Sequence, residues 1–181
     1  IQIKWVMEKR VGFTIMPVVI DPQGNTLQDS SEIIDTLEAT QPEPSITPPG
    51  PAQQLVSLLL ELCADEWLPI ISMHTRWNME KSRTFVLREF GKNAFPFLPA
   101  WLSSILAAPF AKKMQSYLPI LGISESTIPG IEAWMEELFD SLEQHFSAVD
   151  YLLGARPCLG DFALAGPLYA HVGRDAGSRH F

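Results

Sequence analysis

The chain has 181 residues, of which 46% are hydrophobic and 19% are charged, so it can build one large or two small packed domains. This composition excludes a wholly disordered protein. The formal net charge is −8, from 21 acidic and 13 basic residues. An acidic chain without a basic run is a poor candidate for binding the phosphate backbone of nucleic acid. We therefore expect no nucleic-acid partner.

The cysteines and histidines give no sign of a metal site. Cys63 and Cys158 lie far apart and form neither a CxxC pair nor a Cys/His ligand motif. Asp65, Glu66 and His74 do not have the spacing of a zinc or di-iron site, so no metal ligand is assigned. Because Cys63 lies in an apolar helical pattern, we expect a buried free thiol there. Two unpaired cysteines favour a reducing, cytoplasmic location.

No segment of the sequence reads as a membrane span or a signal peptide. The longest apolar stretch, residues 95–111, contains three prolines. It is too interrupted for a transmembrane helix, which needs about 20 apolar residues, and we predict no membrane partner. The chain begins with Ile1 rather than Met, and residues 174–181 continue a helical pattern without a polar tail. We therefore expect the sequence to be part of a longer protein, truncated at its N-terminus and its C-terminus.

The first forty residues predict two helices that flank a short hairpin. Residues 2–10 are compatible with an amphipathic helix that ends at Gly12. The β-branched residues of segment 13–20 predict a strand. Segment 21–25 has Pro at its second and Gly at its fourth position, which is typical of a type I turn. Residues 26–28 should therefore pair back as a second strand.

The helix that follows the hairpin begins with an acid and two serines. Asp29 and Glu32 have the spacing of a capping box, and Ile33, Ile34 and Leu37 give the helix an apolar face. The first N–H groups of a helix have no partner within it and lie at the positive end of its dipole. A helix start of this kind is a candidate site for a small anionic ligand. Helix capping alone would explain the same residues.

A proline-rich segment separates this unit from the rest of the chain. Residues 41–51 contain five prolines, and we place a linker at residues 43–50. The fold class predicted is α+β, with a ββα unit in residues 1–42 and an all-α domain in residues 51–181. Helical patterns in the second domain cover about 55–70 with a bend at Pro69, 81–91, 98–118 with a possible kink at Pro109, 127–149 and 158–173.

Three motifs in this order resemble the glutathione S-transferase superfamily. Met16-Pro17-Val18-Val19 matches the family's Val-Pro segment, in which the proline is cis and the backbone of the preceding residue pairs with the cysteinyl part of glutathione. Leu27–Ile33 matches Leu-x-(Gln/Glu/Asp)-Ser-x-x-Ile, whose acid or amide and serine hold the γ-glutamyl group. Residues 151–162 resemble the Leu-x-Gly-x-x-(Ser/Thr)-x-x-Asp box of the helical domain, with three residues rather than two between Gly154 and Cys158, which takes the Ser/Thr position.

The resemblance implies a partial thioredoxin-like unit followed by a glutathione S-transferase C-terminal domain, from a bacterial branch whose class we do not assign. It implies that Met16, Pro17, Asp29 and Ser30 bind glutathione as a co-substrate. The intact protein would conjugate glutathione to a small electrophile and form a homodimer. The family's activating hydroxyl or thiol lies upstream of the part matched here, so we assign no catalytic residue and expect these residues to be inactive. The alternative is a protein that kept the fold as a non-catalytic binding or scaffold module.

Several aromatic and charged residues in the helical domain can be interpreted either as parts of a functional site or as structural residues. Trp67, His74 and Trp77 could line an electrophile pocket at the domain interface, although interdomain packing and ion pairing explain them more simply. His171 and Arg174 lie one turn apart and are expected on a solvated or interface face. The simplest expectation for the two remaining tryptophans of this domain, Trp101 and Trp134, is burial in the core.

Overall fold

The computed structural model describes residues 2–12 and 16–178, with side chains described from Met7 onward. The chain is mostly helical with one small antiparallel sheet, which makes it broadly α+β. It divides into two compact units, Ile1–Ile46 and Thr47–Phe181, and the division falls inside the proline-rich segment 43–50. In the described residues no helix is both long enough and apolar enough to cross a membrane.

The first unit contains a helix, a two-stranded ribbon and a second helix. In chain order its elements are α1 (Gln2–Val11), β1 (Val18–Ile20), β2 (Thr26–Gln28) and α2 (Ser30–Thr40). The strands pair antiparallel, with Val18 opposite Gln28 and Ile20 opposite Thr26. The predicted strand over 13–20 is therefore shorter in its described part, and its residues 13–15 lie outside the described residues.

Turn chemistry and a few buried side chains hold this unit together. The Gly24 N–H donates to the carbonyl oxygen of Asp21 at 3.0 Å, which closes the predicted turn. Arg10 Nη1 donates to the Gly24 carbonyl at 3.0 Å and so ties the end of α1 to that turn. Met7 and Ile33 are the buried apolar residues described here. The core of the first unit is therefore small.

The named elements of the second unit, over the part that the structure describes, are all helical. Its elements are α3 (Pro51–Glu66), α4 (Leu68–Met73), a first π-helical segment (His74–Asn78), α5 (Glu80–Ala94), α6 (Ala100–Gln115), α7 (Ile128–Phe146), α8 (Leu159–Ala165) and a second π-helical segment (Gly166–Val172). Two buried clusters form its core. The first joins α3, α4, α7 and α8 with the second π-helical segment, and the second surrounds Trp77.

The predicted long helix over 55–70 is wrong in one respect, because it is two helices. α3 ends at Glu66, where the Trp67 N–H donates to the Cys63 carbonyl at 3.0 Å, and α4 begins at Leu68. Pro69 has no N–H to donate and its ring crowds the carbonyl four residues earlier, that of Asp65. The chain therefore restarts its helix, with Pro69 in the first turn of α4. By contrast, Pro109 lies inside the continuous helix α6.

The predicted start of the helix at the third motif is confirmed. The Asp161 carboxylate accepts from the Cys158 N–H at 2.8 Å through Oδ2 and from the Leu152 N–H at 2.9 Å through Oδ1. Asp161 is the N3 residue of α8 and belongs to a capping box. A Cβ on Gly160 would lie 2.8 Å from Leu60 Cβ, so glycine permits the close approach of α8 to α3.

Three burial predictions have mixed outcomes. Cys158 is buried, but Cys63 is only partly buried, so the expectation of a buried thiol at Cys63 is wrong. Trp134 packs against the first core cluster. Trp101 is 66% exposed, which contradicts its predicted place in the core. The physical reason lies in α6, whose buried residues are the small side chains Ser103, Ala107 and Ala111.

Candidate functional site

The ribbon of the first unit brings the Met16–Pro17 and Asp29–Ser30 segments to the same end. Because Val18 pairs with Gln28, the residues before β1 run beside the residues after β2. Pro17 and Met16 therefore lie at the end of the ribbon where Asp29 and Ser30 begin α2, and adjacent strands are about 4.8 Å apart. The Met16–Pro17 peptide bond is cis, as the resemblance implies. Sequence spacing alone did not predict that isomer.

Asp29 has an unusual backbone for a residue with a side chain. Its φ is 83° and its ψ is 131°, and it alone among the described non-glycine residues has a positive φ. Its Oδ1 accepts from the Ser31 N–H at 2.9 Å, and its carbonyl accepts from the Ile33 N–H at 3.0 Å. Capping is thus confirmed for Asp29. Capping does not need a positive φ. Residues other than glycine with a positive φ cost free energy, and they concentrate at sites that hold a ligand.

Ser30 adds donors to the same position. It is the first residue of α2, so its N–H has no partner within the helix. Asp29, Ser30 and Met16 are exposed to solvent. The site therefore offers a carboxylate that accepts hydrogen bonds, a hydroxyl, and backbone donors at the positive end of a helix dipole. This combination can hold a small zwitterion, whose carboxylate needs donors and whose ammonium needs an acceptor.

A separate apolar cavity lies in the helical unit. Its volume is about 850 Å³, and its lining contains no charged side chain. One wall is the α3–α4 side and the other is the start of α7, and the lining residues are Leu59, Leu62, Cys63, Trp67, Ile70, Ser126, Thr127, Gly130, Ile131 and Trp134. The Thr127 hydroxyl already donates to the Gly122 carbonyl at 2.6 Å. The cavity therefore suits an uncharged apolar molecule.

His74 and Trp77, for which the sequence left a pocket or simple packing open, are buried within the helical unit. His74 Nε2 lies 3.0 Å from Glu132 Oε1, and its Nδ1 lies 3.2 Å from Asn78 Nδ2. Trp77 is 4% exposed and stacks on Phe90. Neither residue lines the apolar cavity, and their contacts within the helical unit favour packing, the simpler of the two readings, over a role in a pocket. Of the predicted trio, Trp67 alone lines the cavity.

A buried ion pair in the helical unit was not predicted. Asp175 is fully buried, and its two oxygens accept from Arg76 Nε at 2.9 Å and from Arg76 Nη2 at 3.0 Å. Arg76 Nη2 also donates to the Ala170 carbonyl at 2.7 Å. His171, expected on a solvated or interface face, is partly buried beside Arg76. Burial lowers the pKa of His171 and Arg76 lowers it further, while Asp175 partly opposes both.

This ion pair has a structural role, because it connects two segments of the helical unit. Each oxygen of the Asp175 carboxylate accepts one hydrogen bond from the same guanidinium, and this pair joins the first π-helical segment to the residues after the second. The small cavity beside it, about 260 Å³, has Arg76, Glu89, Arg174 and Asp175 among its lining residues, whose charges balance. Arg76 and Asp175 are 99 positions apart, so no local pattern in the sequence could have paired them.

Comparison with known proteins identifies no relative: no family model, no curated protein and no solved structure matches this chain. Across the residues that the structure describes, no group of three or more His, Cys, Asp or Glu side chains could hold a metal ion. The function is therefore inferred from the geometry of the ribbon end and of the apolar cavity.

Proposed function

We propose that this chain binds the γ-glutamyl end of glutathione where α2 begins. The observation that carries the proposal is Asp29, whose strained backbone holds a carboxylate at the first turn of a helix. The register of the ribbon adds the backbone of Met16, which lies at the same end. The resemblance of Leu27–Ile33 to the glutathione-binding motif supports the same assignment.

The chemistry of the ligand fits these groups one by one. The α-carboxylate of the γ-glutamyl residue accepts from the Ser30 N–H and hydroxyl, near the positive end of the α2 dipole. Its ammonium donates to the carboxylate of Asp29, a charge-assisted hydrogen bond. The peptide part of glutathione pairs with the Met16 backbone, which leaves the Met16 side chain without a role in recognition.

The proposal concerns binding, and conjugation to an electrophile is a further step. None of Met16, Pro17, Asp29 and Ser30 is assigned to activation of the thiol. A thiol with an ordinary pKa of about 8.5 has to be made more anionic before it attacks at neutral pH. Measurements of binding therefore test the site, and turnover of a generic electrophile tests the reaction separately.

The binding test compares three variants by calorimetric titration with glutathione. Asp29→Asn keeps a side chain that caps helices and tolerates a positive φ, but removes the negative charge that pairs with the ammonium. We expect it to weaken binding about tenfold or more, since hydrogen bonds to charged groups contribute about 1.5–3 kcal/mol. Ser30→Ala should weaken binding by a smaller factor.

The matched control is Ser147→Ala, which removes an exposed serine hydroxyl of the helical unit that donates to the Gln144 carbonyl at 2.8 Å. It should bind glutathione as the unchanged chain does. Equal affinity in all the variants would show that glutathione, if it binds, binds elsewhere. Absence of any binding would favour the scaffold alternative.

A second candidate function is favoured by the apolar cavity. Its volume of about 850 Å³ lies within the range of small-molecule sites, and its walls include Trp67 and Trp134. A non-catalytic protein of this fold would use it to bind an uncharged apolar compound. Cys63 lines the cavity and is partly exposed, whereas Cys158 is buried, so Cys63 is a selective reporter of occupancy.

The cavity can be filled by substitution of Gly130. A Cβ at this position meets nothing within 4 Å, and Gly130 lines the cavity, so we expect Gly130→Leu to occupy part of the cavity. We expect this variant to lose binding of the neutral dye N-phenyl-1-naphthylamine. The dye should slow the reaction of Cys63 with iodoacetamide in the unchanged chain but not in this variant. Gly166→Leu, also in open space but outside the cavity lining, is the control. Dye binding that survives Gly130→Leu would contradict this assignment.

A further inference from the structure

The α5–α6 hairpin presents several large apolar side chains to solvent at its tip and along α6. The exposed fractions are 98% for Phe97, 66% for Trp101 and 60% for Ile105, and every residue from 92 to 101 is exposed. The side of α6 that packs inward carries Ser103, Ala107 and Ala111. This arrangement is the reverse of an ordinary surface helix, whose large apolar residues face the core.

The inward packing of α6 requires small residues. A Cβ on Gly91 of α5 would lie 2.7 Å from the backbone carbon of Ser103 and 2.9 Å from the backbone nitrogen of Ser104. The two helices therefore approach each other backbone to backbone. Because this contact uses the small face of α6, the aromatic and branched residues are left on the outside.

The same hairpin is positively charged within an acidic chain. Residues 80–115 contain six Lys or Arg and two Glu, a net charge of +4, whereas the whole chain has a net charge of −8. Lys112 and Lys113 are exposed, and Lys112 continues the face of α6 that begins with Trp101 and Ile105 at helical spacing. Lys92 is exposed next to the tip.

We propose that this face of the α5–α6 hairpin docks on an anionic phospholipid bilayer. Aromatic residues such as Phe97 and Trp101 favour the boundary between headgroups and acyl chains. Lysines near that boundary are attracted to anionic headgroups, each by about a factor of five. The contact is peripheral, along one side of the hairpin, and so requires no helix that spans the membrane. It replaces the expectation from the sequence that the chain has no membrane partner.

Charge complementarity selects a lipid surface over a second copy of this chain. A second copy would bring the same positive face against this one, which places like charges opposite each other. An anionic bilayer offers the opposite charge over the whole face and an apolar layer for the tip. The proposal does not depend on glutathione binding, because all its residues belong to the helical unit.

The test is sedimentation of the full chain with vesicles, either pure phosphatidylcholine or phosphatidylcholine with about one third phosphatidylserine. We expect binding to the anionic vesicles that falls at high salt. Phe97→Ser combined with Trp101→Ser should reduce partition about tenfold or more. Lys112→Glu combined with Lys113→Glu should cause a similar loss on anionic vesicles only.

The matched control is Tyr169→Ser, which removes an aromatic residue that is 83% exposed in the second π-helical segment. This variant should bind the vesicles as the unchanged chain does. The urea midpoints of unfolding should show that all variants are folded. Brominated lipid should quench tryptophan fluorescence in the unchanged chain more than in Trp101→Phe. The proposal is overturned if the unchanged chain does not bind the vesicles, or if the hairpin variants bind them as well as the unchanged chain does. It is also overturned if the hairpin substitutions abolish self-association of the chain but leave its binding to vesicles unchanged.

Discussion

At the scale of single residues, His171 shows how the fold changes the ionisation of a side chain. Burial lowers the pKa of His171 from its ordinary value of 6.5, and the guanidinium of Arg76 lowers it further, while Asp175 raises it in part. The Nδ1 atom is buried and has no hydrogen-bond partner among the described residues. A proton on this ring is therefore less favourable in the folded chain than in the unfolded chain.

We predict that the free energy of unfolding falls as the pH is lowered through about 6.5 toward the folded pKa of His171. The sign follows because the unfolded chain binds more protons in that window. His171→Gln should flatten the pH dependence there, and urea unfolding between neutral and mildly acidic pH measures it. The same slope in both proteins would contradict the role of His171.

Residue-scale prediction from the sequence succeeded where the partners are local. The cap at Asp29 joins residues two positions apart in the chain, so spacing was sufficient. It failed for Trp101, because periodicity identifies an apolar face without showing whether that face packs inward. It also failed for Cys63, whose neighbours come from the start of α7 as well as from its own helix.

At the scale of elements, the contact between α5 and α6 depends on one glycine. We predict that Gly91→Ala destabilises the chain by about 1–3 kcal/mol, because the new Cβ would meet the Ser103 backbone at 2.7 Å, although alanine is otherwise the better helix former. Gly130→Ala in α7 is the control. Its Cβ meets nothing within 4 Å, so it should stabilise by about 0.5–1 kcal/mol. Thermal or urea unfolding distinguishes the two, and equal effects would contradict this account.

The order of elements was largely predictable, and their exact ends were not. Turn residues 21–25 indicate where the hairpin turns, and the structure agrees. By contrast, α3 begins at Pro51, before the predicted start at about residue 55. The sequence placed a bend at Pro69, but the helix is interrupted at Trp67, because a proline disrupts the helical turn that precedes it. The two π-helical segments, His74–Asn78 and Gly166–Val172, leave no periodicity that a pattern could detect.

At the scale of the whole molecule, the two candidate ligand sites belong to different units. The Asp29 site lies in Ile1–Ile46, and the apolar cavity lies in Thr47–Phe181. The proline-rich composition of residues 43–50 pointed to this division. The ion pair between Arg76 and Asp175 inside the second unit could not be predicted from the sequence, because its partners are 99 positions apart and meet only through tertiary packing. The homodimer that the resemblance implies stays a prediction.

The proposed binding of the γ-glutamyl end of glutathione by Asp29 and Ser30 can be tested residue by residue. The most direct measurement is an NMR titration of the full chain with glutathione in which each backbone amide is observed separately. We predict saturable shifts at the amides of Met16, Asp29, Ser30 and Ser31, smaller shifts in Asp29→Asn, and no shifts at the cavity residues Cys63 and Trp134. No shift at millimolar glutathione, or shifts confined to the helical unit, would contradict it.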